Sequence, residues 1–213
     1  MTKRNTRELI LSTSLSLFND LGEPNVTTNH IADEADISPG NLYYHFRSKN
    51  DIVIELFKYF LARFQPLTEV PDDQSLDADD LWFLLHLAFE LKSEFRFLYR
   101  NLSDITARIP DLNKAMRGLL LRERNAAIHL LEGLERQGSL TLDQQEKDML
   151  IDNILLAVTY WIPYADIFDR KGLDQGSAAL KSIARVLQMI VPYLQEPARS
   201  QFSSLTREYL STV

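Results

Sequence analysis

Apolar residues along this chain fall three and four positions apart almost throughout, the spacing of helices that each bury one face. Ile10, Ser14, Leu17, Phe18 and Leu21 form the first stripe, and Gly22 closes it as a C-terminal cap. Thr28 is expected to cap a short second helix whose Ile31, Ala32 and Ala35 face inward. Ser38 caps a third, with Pro39 at the first helical position, where a missing N–H costs nothing. Ser48 and Asp51 have capping-box spacing at the head of a longer helix that reaches about Pro66. Residues 66–77 read as a loop. Helical spacing then resumes over 79–92, 93–109, 111–137, 143–168, 177–194 and 197–210, punctuated by Pro110, Gly138 and a Lys171-Gly172 turn. No segment alternates as a strand does, so the expected fold class is all-α.

Composition narrows the chemistry. The 213 residues are 45% hydrophobic and 25% charged, as in an ordinary globular protein, and the length allows one or two domains. There is no Cys, which removes disulfides, thiolate zinc sites and a Cys nucleophile together. The four histidines at 30, 45, 86 and 129 are scattered, none in H-E-x-x-H and none with Glu three residues before it. Neither a G-x-S-x-G nor a P-loop occurs. No enzyme, metal or cofactor is expected. The N-terminus lacks a clean apolar signal region, and no 18-residue apolar run exists, so no membrane partner is expected and a cytoplasmic location is the default.

The most informative stretch is 27–49, TTNHIADEADISPGNLYYHFRSK. Two short helices joined by a tight turn, with a helix in front, make a helix-turn-helix. Ile31 and Ala35 pack against Leu42 and Phe46, which are four apart and share a face. Gly40, Asn41, Tyr43, Tyr44 and His45 are left to point elsewhere. Small residues and backbone N–H groups around Ser38 to Asn41 suit close approach to a duplex. Residues 37–50 hold Arg47 and Lys49 without an acid, and residues 1–7 hold Lys3, Arg4 and Arg7 without an acid. Each such cation that meets a phosphate releases a counterion.

From Arg7 to Phe57 the chain resembles the TetR family of bacterial transcriptional regulators. The residues that carry the likeness are Leu17-Phe18, Gly22, Thr27-Thr28, Ile31-Ala32, Ala35, Ser38-Pro39-Gly40, Leu42-Tyr43-Tyr44-His45-Phe46 and Lys49. Two departures stand out. Asp36 occupies the turn where the family usually has Gly, and Asp tolerates a left-handed backbone. Thr13-Ser14 replace an Ala pair, and a helical hydroxyl can bond back to a carbonyl one turn earlier.

The resemblance implies a DNA-binding head over 1–48 and a helical effector-binding and dimerising domain over 49–213, with 49–65 as the linking helix. It implies that Thr28 and Tyr43 hold phosphates through their hydroxyls. His45 and Lys49 would do so on the flanking backbone. Ser38, Gly40, Asn41 and Tyr44 would face bases or sugars, and Asn29 and Asn41 are candidates for base readout, since Asn pairs bidentately with adenine. A double-stranded operator, palindromic because two heads related by a two-fold axis read it, and a second copy of the chain are the implied partners.

Two apolar seams, Ile151, Leu155 and Val158, and Leu180, Ile183, Leu187 and Val191, are the expected dimer contacts. Aromatics gathered mid-chain are the expected walls of an apolar or aromatic effector's pocket: Phe64, Trp82, Phe89, Tyr99, Tyr160, Trp161, Tyr164 and Phe168. Pro163 should loosen the helix there. His86, Arg96, Arg100, Asn101 and His129 are candidate polar handles. A ligand-responsive repressor is the leading expectation. A helical adaptor that binds only protein is the alternative, and it would need no basic-flanked helix-turn-helix.

The net charge of −7 speaks against nucleic acid until its distribution is considered. Glu69, Asp72, Asp73, Asp77, Asp79 and Asp80 fall in one stretch without a base, and the remainder is −1. That acidic cluster is expected on the sensing domain, away from the duplex.

Overall fold

A computed structural model describes residues 3–69 and 78–211. Among them lie twelve α-helices, no extended strand, and a single isolated bridge between Leu140 and Leu194. Asp72, Asp73 and Asp77 of the acidic cluster, and most of the 66–77 loop, fall outside the described residues. The chain forms two compact units whose boundary differs from the functional division expected at 48/49. Of the described residues, 3–63 pack with 95–116, and 64–69 and 78–94 pack with 117–211.

The first unit is built on α1 (Lys3–Leu21), α2 (Thr28–Glu34), α3 (Pro39–His45) and α4 (Lys49–Phe64). α1 ends at Gly22, whose φ of +82° a side chain would resist. Ser14 is fully buried in α1, and its hydroxyl donates to Ile10 O at 2.6 Å, so this departure from an Ala pair is accommodated within the helix. The cap of α2 is Thr27, not Thr28: the Thr27 hydroxyl accepts from His30 N at 3.1 Å. Ser38 caps α3 as its sequence suggests, accepting from Asn41 N at 3.2 Å. Ser48 accepts from Asp51 N at 3.2 Å at the head of α4. Asp36 sits at φ +50° in the turn between α2 and α3, where glycine would be strain-free and Asp is tolerated.

The stretch expected to be one helix over 93–109 is broken into α6 (Arg96–Arg100) and α7 (Leu102–Arg108). Long-range partners stabilise the break. Asn19 Oδ1 accepts from Phe97 N at 3.1 Å, Arg100 donates to Asn19 O at 2.8 Å, and Arg96 pairs with Asp20 at 3.1 Å. Phe18 meets Phe97 with ring centroids 5.2 Å apart, and Phe60 meets Phe95 at 5.6 Å and Tyr99 at 5.9 Å. Those aromatics form a core that fastens α6 to the helices of the reading head.

The second unit holds α5 (Ala78–Glu94), most of α8 (Pro110–Arg136), α9 (Gln144–Phe168), α10 (Arg170–Asp174), α11 (Ser177–Ile190) and α12 (Ala198–Ser211). α9 starts with a complete capping box between Asp143 and Glu146 and continues through Pro163. α11 packs on α5, α9 and α12. The expected Lys171-Gly172 turn lies inside α10, and the chain turns instead at Gly176, φ +82°. Asp169 caps α10 by accepting from Gly172 N at 3.1 Å and pairs with Lys181 at 2.6 Å, which, with the Gly172 bond, holds its carboxyl below the usual range.

Candidate nucleic-acid interface and effector cavity

α2 and α3 are locked together from inside and open on the outside. Ile31, Ala32, Ala35, Leu42 and Phe46 are buried. Asn29, Ser38, Gly40, Asn41, Tyr43 and Tyr44 are exposed. Two large aromatics in succession on a short helix, Tyr43 at 48% and Tyr44 at 67% exposure, are what a contact surface looks like before its partner arrives. The Tyr43 and Thr28 hydroxyls lie 2.9 Å apart, so one hydrogen bond joins α3 to the first turn of α2 and sets both oxygens side by side. Tyr44 stands edge-on to the His45 ring at 5.3 Å. A side chain added at Gly40 would meet only Ser38 Oγ, at 4.0 Å, so nothing inside this unit demands a glycine there. Exposed Arg47 follows directly after Phe46.

Lys49 departs from its expected role. Its ammonium donates to Glu23 O at 2.8 Å and Val26 O at 2.9 Å and pairs with Glu23 Oε1 at 3.1 Å. The ammonium is thus turned inward, with two carbonyls as acceptors and its charge beside Glu23, which is fully buried and needs a counter-charge. Arg7, though 38% exposed, is likewise engaged within the unit: its guanidinium stands over the Phe46 ring at 5.0 Å and meets Glu55 at 2.7 Å. The Arg7 hydrogen bond holds the Glu55 carboxyl below the ordinary glutamate value. Side chains of Lys3 and Arg4 lie outside the described residues.

In the second unit, α5, α8, α9 and α11, with Phe64, Leu67 and Thr68, line a partly open cavity of about 100 Å³, several times the roughly 10–15 Å³ that one water requires. Of the expected pocket walls, Phe64 and Phe89 line it. The others do not. Tyr99 is buried in the first unit against Phe60, and Trp82 stacks on His86 at 5.4 Å. Trp161 backs Phe89 at 5.3 Å and, with Tyr160 and Tyr164, lines a separate open groove between α9 and α11, while Phe168 is exposed. Leu155 and Val158, expected at a dimer seam, line the cavity instead. Ile151, Ile183, Leu187 and Val191 are buried within the unit, and Leu180 is half-buried.

The candidate polar handles also went elsewhere. His86 pairs with Glu90, Arg96 and Arg100 bind α1, Asn101 lies at the α6–α7 break, and His129 is half-buried off the cavity lining. The polar residues in the wall are Thr68, Lys92 and Glu123, which the sequence did not single out, because a lysine in a helical stripe carries no mark of burial. What remains outward on α9 is a second apolar stripe: Met149, Leu156, Tyr160, Tyr164, Ile167 and Phe168. Among the described residues no cluster of His, Asp or Glu could hold a metal, and no helix is long and apolar enough to cross a membrane.

Capped helices around a tight turn, with an exposed polar and aromatic face, define a helix-turn-helix protein with a separate helical unit. Residues 10–56 match the family described as "Bacterial regulatory proteins, tetR family", and residues 60–202 match the TetR family described as "Bacterial transcriptional repressor". The chain belongs to the TetR family, whose members are transcriptional regulators and not enzymes.

It is similar over 98% of its length, at 32% identity and a TM-score of 0.87, to 99% of a TetR-family transcriptional regulator from Marinobacter aquaeolei VT8. It is 40% identical over 55 residues to the HTH-type transcriptional repressor KstR2 of Mycolicibacterium smegmatis, which is 26% of this chain and 27% of that protein. It is 27% identical over 122 residues, 52% of this chain, to the biofilm operon icaADBC negative transcriptional regulator IcaR of Staphylococcus aureus. That match spans 64% of IcaR.

Proposed function

We propose that this chain is a ligand-responsive transcriptional repressor that binds a palindromic operator as a homodimer. The exposed face of α2 and α3 carries the reading. Asn29 and Asn41 supply base readout. Thr28 and Tyr43, already hydrogen-bonded to each other, present hydroxyls to phosphate. Ser38, Gly40, Tyr44 and His45 complete the contact surface, and Lys49 fixes the head from within. Phosphate contacts set position while base contacts set sequence.

One head reads only a few base pairs, so a second copy is required for a site of useful length. The outward stripe of α9 supports that role: an exposed apolar row along a long helix favours burial against an identical row across a two-fold axis. Arg185 of α11 stands over Tyr164 at 5.3 Å and flanks that row.

The apolar cavity is the proposed effector site. α8 carries Glu123, Ala126 and Leu131 into its wall, and the same helix begins at Pro110 among the residues that pack with the head. A ligand that favours one placement of this helix therefore shifts the head's DNA-binding equilibrium, by no more than its own differential affinity.

The test is selection of random duplex DNA by the full-length protein, followed by anisotropy titration of the selected site. A palindromic motif bound tightly over scrambled DNA is the expected result. No enriched motif at low salt would leave the adaptor reading in its place.

A further inference from the structure

Apart from Thr68, whose hydroxyl donates to Gln65 O at 2.8 Å, the cavity wall is hydrocarbon but for one ionic pair, and that pair is lopsided. Lys92, 1% exposed, donates to Val158 O at 3.0 Å, pairs with Glu123 Oε1 at 2.5 Å and stands 5.3 Å from the centre of the Phe64 ring. Glu123 is nine-tenths buried and lines the cavity. Its Oε1 is taken by Lys92. Its Oε2 is buried and accepts no hydrogen bond from any described residue. A buried carboxylate oxygen without a donor is costly, so a donor brought by a ligand recovers what the fold leaves unmet.

We infer that the cavity takes an uncharged ligand with an aliphatic body and a hydroxyl head, the hydroxyl donating its proton to Glu123 Oε2. This rests on the reading of the cavity as the effector site. The pair is neutral overall, which decides among head groups. A carboxylate head would set a second anion against Glu123 Oε2. An ammonium head would bring a second cation beside Lys92. An ether head only accepts and leaves the oxygen unmet. An alcohol donates and adds no charge. The body is set by Leu84, Leu85, Ala88, Ala126 and Leu130, which reward an alkyl chain through burial.

The experiment uses the full-length protein and four probes of one chain length: octan-1-ol, 1-methoxyoctane, octanoate and octylammonium. Binding is read by calorimetry and by Trp161 fluorescence, since Trp161 touches the cavity residue Phe89. Octan-1-ol should bind at least about tenfold more tightly than 1-methoxyoctane, the value of one hydrogen bond to a charged acceptor.

Glu123→Gln keeps the shape, and with its carbonyl on Lys92 it turns an amide N–H toward the ligand. Alcohol and ether should then converge to within about threefold. If that variant folds poorly, the double variant Lys92→Met with Glu123→Leu removes both charges and should bind the two equally. Equal binding of alcohol and ether by the unaltered protein, or preference for octanoate or octylammonium, overturns the hydroxyl inference and leaves the cavity as the effector site. Failure of all four to bind overturns the effector reading and the inference with it.

Discussion

Arg108 Nη2 meets Glu23 Oε2 at 2.8 Å across 85 positions of sequence, and Glu23 has no exposed surface. Lys49 takes the other oxygen, and Arg108 also donates to Asn50 Oδ1 at 2.6 Å. One buried carboxylate thus ties the turn after α1, the head of α4 and α7 into the unit that carries the reading helices. Removing one cation from such a cluster leaves charge buried with less compensation.

Lys49→Met should therefore act on stability before it acts on DNA. Urea unfolding is expected to show a loss of about 2 kcal/mol, less than a lone buried pair because Arg108 remains. The slope of log K against log salt for operator binding should stay unchanged, where a phosphate contact would lower it by about one. A slope reduced by one with stability intact would return Lys49 to the phosphate backbone.

Asn41→Ala should relax sequence preference selectively. Its exposed amide is expected to contribute about 1–3 kcal/mol of discrimination at one or two base pairs. Anisotropy titrations on the selected operator and on scrambled DNA should show a drop of at least roughly tenfold for the first and little change for the second. Equal losses on both would remove Asn41 from base readout.

Glu55 links α4 to α1 through Arg7, and the Arg7 hydrogen bond lowers its carboxyl from the ordinary value. A depressed carboxylate contributes stability that is present above the unfolded value and is lost as pH falls through the lowered folded value. Carbon-detected NMR titration should place Glu55 below an exposed glutamate, and Arg7→Gln should move it back up and flatten the acid dependence of stability. An unmoved titration in Arg7→Gln would break the assignment.

The two apolar stripes of α9 should separate cleanly under mutation. Leu156→Glu, on the outward stripe at 60% exposure, should yield a folded monomer by light scattering, since a carboxylate cannot be buried unpaired in an apolar contact. Leu187→Ala on α11, fully buried, should cost about 2–5 kcal/mol and leave the dimer in place. A dimer that survives Leu156→Glu would move the interface elsewhere.

The reading head was legible in the sequence because its determinants are local. Ser38 with Pro39, the hydroxyl of Ser14 and the left-handed Asp36 each act within a few residues. What sequence could not show is nonlocal. The break of 93–109 depends on Asn19, 78 positions from Phe97. Periodicity marks α9 as amphipathic but cannot say which of two apolar rows turns inward, so Leu155 and Val158 were expected at a partner and face a cavity. Aromatic clustering points to Tyr160 and Tyr164, which line an open groove on the outer side of α9, but gives no sign of the second cavity, walled chiefly by Leu and Ala and given its polarity by Lys92, Glu123 and Thr68.

α9 shows Leu155 and Val158 to the cavity and Leu156 and Tyr160 to the outside. With the proposed effector in the cavity and the proposed partner on the outer row, a helix shared in this way would couple occupancy to assembly, and such coupling is reciprocal. A ligand that tightens the dimer must itself bind more tightly to the dimer than to the monomer. Under the proposed function, the apparent potency of an inducer would then vary with how much of this protein the cell holds, and the abundance of the regulator would set the dose at which its operator is released.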